Sequence, residues 1–188
     1  MGFALIALLA ATQKPQPAPI SIQLSATKKV YKSGEEVIFV ATTQNLTKQA
    51  IELVSETDSM NWGRKAPYLY LEAKLPDGTW DKLVMKNVGR CGNANPIKAE
   101  DFVTVQPGQS VDLLNGMQWS KYEVQQCLLN PGTYQIHLRY DTTPKFGHWM
   151  GGPLIPEEEQ RLSHLLQPHY ERTPKGVFVS NEVTIRVQ

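Results

Sequence analysis

Neither sign of charge predominates in this chain. Lys and Arg total 19 against 18 Asp and Glu, a formal charge of +1 in 188 residues. No basic stripe or acidic tail breaks that balance, so nothing in the composition points to nucleic acid or an anionic membrane surface. No apolar run is long enough to span a bilayer as a helix. No G-x-S-x-G elbow or comparable nucleophile context occurs, and there are two cysteines and four histidines in all. These absences argue against hydrolase chemistry and leave a non-enzymatic protein as the first expectation.

Among what is present, the opening MGFALIALLAATQKPQPAP stands apart. Phe3 to Ala11 is a short apolar run ending in small residues, followed by a polar, Pro-rich stretch. That pattern reads as the h-region and cleavage site of a secretory signal. No Lys or Arg precedes the run, so it is either a weak signal or the inner part of a longer one. Residues 1–11 are therefore read as signal-like and 12–19 as a linker, and the protein is expected to be secreted or periplasmic. No membrane span is expected in the mature chain.

From Ile20 onward, alternation with period two dominates. Ile20, Ile22 and Leu24 alternate with Ser21, Gln23 and Ser25. A turn at Ser33-Gly34 precedes a strand from Val37 to about Thr43, and QAIELV reads as a short third strand. PYLYLEAKLPDGTWDKLVM carries the signal of a hairpin turning at Pro76-Asp77-Gly78. DFVTVQPGQSVDLL repeats that plan with a bend at Pro107-Gly108. In NPGTYQIHLRYD, Tyr134, Ile136, Leu138 and Tyr140 share one face, with Gln135, His137 and Arg139 on the other. VFVSNEVTIRV closes the chain with Val183, Ile185 and Val187 aligned.

This spacing predicts an all-β, two-sheet antiparallel sandwich over residues 20–188. Residues 143–176 form an insertion before the last strand. Within it, PEEEQRLSHLLQ reads as a short amphipathic helix, with Pro156 in its first turn, three glutamates at its N-terminus and Pro168 as its stop.

KKVYKSGEEVIFVATTQN resembles the opening of bacterial immunoglobulin-like and macroglobulin-type sandwich domains, which carry a Tyr-x-x-Gly-Glu turn before a strand ending in Asn. LNPGTYQIHLRYD and VSNEVTIRV resemble their penultimate and closing strands, and the layout is similar to the intracellular proteinase inhibitor family. The resemblance implies an immunoglobulin-like fold and no catalytic residue.

Two cysteines in an exported chain are expected to form one disulfide, Cys91 to Cys127. Closing 36 positions (127 − 91) would stabilise the fold by roughly 3–4 kcal/mol on a chain-entropy argument. No metal site or cofactor is expected. A blue-copper centre needs a thiolate and two imidazoles, and neither cysteine stands at the required spacing before His148. His164 and His169 flank Pro168 at a spacing that does not converge on one helical face. Glu157, Glu158 and Glu159 point apart, as adjacent residues on a helix do, and read as a solvated first turn. Asn45-Leu46-Thr47 matches a glycosylation sequon, a triplet common by chance.

Trp62, Trp80, Trp119 and Trp149 each lie beside turn residues, where tryptophan either anchors a partner or caps a core. The segment KFGHWMGGP is the expected binding pole, with Phe146, His148, Trp149 and Met150 as its contact residues. The partner expected is an envelope or extracellular protein or glycan, and the alternative is protease inhibition through an exposed loop.

Overall fold

The computed structural model describes residues 17–54, 66–84, 97–115, 124, 126–151 and 154–188. Eleven strands are present among them: β1 Ile20–Ala26, β2 Val30–Tyr31, β3 Phe39–Asn45, β4 Ile51–Val54, β5 Tyr68–Lys74, β6 Trp80–Lys82, β7 Phe102–Val105, β8 Ser110–Asp112, β9 Gly132–Asp141, β10 Val177–Val179 and β11 Val183–Val187. One α-helix, α1 Pro156–Arg172, lies between β9 and β10. Among the described residues the protein is mainly β, with several antiparallel sheets and one long helix.

The main sheet runs β2-β11-β9-β5-β6, with β10 also paired to β9. A second sheet runs β1-β3-β8, and β4-β7 form a separate pair. All pairings are antiparallel except β2 with β11. Among the described residues there are three sheets, where two were expected, and they follow from the route taken at Pro107-Gly108. That bend does not close a hairpin, because β7 pairs with β4 and β8 with β3. Asn45 holds the crossing: its N–H donates to the Gln109 carbonyl at 3.0 Å, and its carbonyl accepts from Gly108 N at 2.9 Å.

The hairpin at Pro76-Asp77-Gly78 is formed as the sequence indicates. Leu75 N donates to the Thr79 carbonyl at 2.8 Å, and Gly78 takes φ +85°, a left-handed conformation that favours glycine. Alternation fixes the core. Ile136, Leu138 and Tyr140 of β9, Ile185 and Val187 of β11, and Ile20, Ile22 and Leu24 of β1 are all buried in one apolar cluster. Fully burying a side chain of this size stabilises the fold by about 1.5–3 kcal/mol.

The helix is longer than the sequence indicates. Pro168 lies inside it, and α1 runs on to Arg172. Proline removes one helical hydrogen bond, but the last turn is held from outside. Glu52, buried on β4, accepts from Arg172 Nε at 3.0 Å and Nη2 at 2.6 Å, and pairs with His169 Nδ1 at 2.5 Å. Thr142, fully buried, closes the base of the segment before β10. Its hydroxyl donates to the Pro174 carbonyl at 2.6 Å and accepts from Gly176 N at 3.0 Å.

Candidate functional site

The pole expected to bind a partner is built as core. Trp149 is 1% exposed and Met150 6% exposed. The Trp149 ring meets Tyr170 edge-on at 5.1 Å and stacks with Phe102 at 6.3 Å, while its Nε1 donates to the Pro144 carbonyl at 3.1 Å. Met150 packs with Leu162 and Leu166 under α1. Phe146 is half-buried against Tyr170 at 5.2 Å, and His148 is exposed. The expectation that Trp149 and Met150 face a partner is therefore corrected. The final turn of α1, unseen in the sequence, brings Tyr170 over the indole.

Lys175 completes that cluster. Its Nζ lies 4.7 Å from the Trp149 ring centroid and 3.3 Å from that of Tyr170, and donates to the Tyr170 carbonyl at 2.6 Å. Burial pushes its ammonium down to about 8. The arrangement ties the chain after α1 back onto the core.

A different surface carries organised polar chemistry. Strand alternation sends Leu69, Leu71 and Ala73 of β5 inward, and so turns Tyr70, Glu72 and Lys74 outward. Register sets Glu72 between His137 of β9 and Lys82 of β6, with Tyr70 opposite Arg139 and Lys74 opposite Trp80. His137 Nε2 pairs with Glu72 Oε2 at 2.7 Å, and the Trp80 ring lies on the imidazole at 3.8 Å. Lys82 Nζ sits 3.9 Å from the Tyr70 ring centroid. Burial, with the Glu72 carboxylate adding to it, raises the Tyr70 phenol above its ordinary range, against the effect of Arg139, which hydrogen-bonds it. Tyr70 and His137 are buried although they point away from the core. Among the described residues, side chains of the sheet itself pack into this second layer.

Beside it, a groove of about 820 Å³ opens between the β5–β6 hairpin and the start of β9, with Lys74, Lys82, Tyr134 and Cys127 among its walls. Cys91 lies outside the described residues, and so does its pairing with Cys127; no disulfide occurs among the described residues. Trp62 and Trp119 also lie outside them. Each of the two buried or half-buried imidazoles has its own carboxylate, His137 with Glu72 and His169 with Glu52, while His148 and His164 are exposed.

The alternation along β9 sets His137 and Arg139 on a polar strand face and by itself assigns that face no role. The signal was present in the alternation: aromatic and charged residues recur at 68, 70, 72 and 74, and Trp80 follows directly after the turn. A scan against protein-family models finds no match for the chain, and a search of curated proteins finds none either. Among the described residues, no helix is long and apolar enough to cross a membrane.

Proposed function

We propose that this protein is a non-enzymatic, exported binding module of immunoglobulin-like design, and that its partner docks on the outer face of the main sheet. The observation that carries the reading is the layer of Tyr70, Glu72, Trp80, Lys82, His137 and Arg139, which among the described residues is built by β5, β6 and β9. Aromatic residues and arginine on a rigid sheet are the composition of protein-binding surfaces. Two features support the immunoglobulin-like assignment. The strand β2 runs parallel along β11, and β1-β3-β8 contributes its inward residues to the same core as β9 and β5. A Cys91–Cys127 bridge fits export, and a peptide joining the two on non-reducing digestion is its test.

A photo-reactive amino acid at Gln135, on the outer face, should give an adduct with an envelope or extracellular protein in the native host. The same group at Thr42, on the exposed side of β3, should not. Equal yields from both positions, or adducts from Thr42 alone, would overturn the reading. Inhibition of a protease panel by the wild-type protein, lost on cleavage of an exposed loop, would favour the protease-inhibitor alternative instead.

A further inference from the structure

We infer that the outer face of the main sheet receives an acidic segment of a protein partner, held by Lys74, Lys82, Arg139 and Arg186; this rests on the reading of that face as the partner surface. The four cations occupy outward positions on β5, β6, β9 and β11. Two carboxylates share those strands' outward positions, and both are already engaged. Glu72 pairs with His137 at 2.7 Å, and Asp141 Oδ1 accepts from Thr143 N at 2.9 Å and Thr143 Oγ1 at 2.6 Å. Among the described residues, no carboxylate pairs with any of the four cations. Off this face Lys28, Lys98 and Arg172 find carboxylates and other described cations do not. What sets the face apart is that four cations share one side of one sheet with only two carboxylates among the described residues, both engaged. In a chain of 19 basic and 18 acidic residues, this surplus is local.

The rings decide which anion fits. A base or a sugar needs an open aromatic face to stack on. Here the Trp80 ring lies against His137 and has Lys74 Nζ 5.7 Å from its centroid, and Lys82 covers Tyr70. What the face offers is positive charge, including the arginine forks that bind carboxylates in a bidentate manner.

The probe is a short poly-L-glutamate peptide titrated into the full chain, followed by tryptophan fluorescence and amide chemical shifts. Saturable binding is expected, weakened by salt, with shifts confined to β5, β6, β9 and β11. The variant K74Q/K82Q/R139Q/R186Q should bind at least about tenfold more weakly, with circular dichroism reporting its fold. Should that variant be unstable, K74Q/R186Q, which alters two exposed side chains, should show a severalfold loss. K48Q/K98Q should bind as the wild type does. Absence of binding at low salt, or binding untouched by the substitutions, would overturn the inference. So would heparin or a single-stranded oligonucleotide binding the same face more tightly. Gln135 adducts without poly-glutamate binding would remove the acidic assignment and leave the partner surface standing.

Discussion

Asn181 binds the backbone of Leu24 as a neighbouring strand would. Its Oδ1 accepts from Leu24 N at 2.8 Å, and its Nδ2 donates to the Leu24 carbonyl at 3.1 Å. Leu24 belongs to β1 in one sheet, and Asn181 lies between β10 and β11 of the other. One amide therefore joins two sheet edges that no backbone ladder connects. Asn181→Ala should lower stability by about 1–2 kcal/mol, roughly 2–8 °C in melting temperature for a chain of this size. Asn181→Asp, which keeps an acceptor but turns no donor toward the carbonyl, should rescue little. An unchanged melting curve for both variants would show that the bridge contributes nothing.

Asn45 presents a more heavily used amide. It is fully buried, and its Nδ2 donates to the carbonyls of Gln49 at 2.8 Å and Val105 at 2.9 Å. Its Oδ1 accepts from Thr47 N at 2.9 Å and Thr47 Oγ1 at 2.8 Å. The sequon is thus a structural turn, with no amide hydrogen left for a glycan. Asn45→Ala should cost about 2–4 kcal/mol, since it strands buried carbonyls. Folded protein made in a glycosylating secretory host should show the unmodified mass. A glycan at Asn45 on protein with a native melting temperature would contradict this account.

Trp149→Ala should be among the most damaging single changes in the insertion. It opens a cavity beneath Tyr170 and Phe102, and a loss of about 3–5 kcal/mol is expected. Chemical denaturation measures it, and a loss below about 1 kcal/mol would show that the neighbours collapse into the space.

The parts of this fold visible in the sequence are those set by local period. Val183, Ile185 and Val187 point inward or partly inward as their spacing indicates, and the turn at Gly78 follows from its own residues. Pro107-Gly108 shows the limit of such signals. A turn sequence specifies that the chain bends, and the sheet that the next strand joins is decided by Asn45, far away in sequence. Pro168 shows the same limit for helices, since the contacts that carry α1 past it belong to Glu52 on β4. Trp149, flanked by loop residues, has its burial decided by Phe102 and Tyr170. The outer-face site was half visible: alternation placed its residues together, but engagement of the rings by cations is a tertiary fact.

Lys175 gives a prediction whose sign follows from its surroundings. Burial lowers its folded-state value to about 8 from an ordinary 10.5. Between those values the unfolded chain binds more protons than the folded one, so this residue's contribution to stability rises with pH. Below pH 8 both states are protonated, and the desolvation penalty is present in full. Lys175→Met keeps apolar contact with Trp149 and Tyr170 and removes the titration. The wild type should therefore gain stability relative to Lys175→Met as pH rises from 8 to 10.5, while the difference stays flat between pH 6 and 7. The gain should be modest, because the side chain keeps part of its surface in water. Urea midpoints of both proteins across this range measure the difference directly. A wild-type midpoint that falls relative to the variant above pH 8 would mean that the ammonium, held between two aromatic faces, is stabilised by the fold, and that the rings outweigh burial.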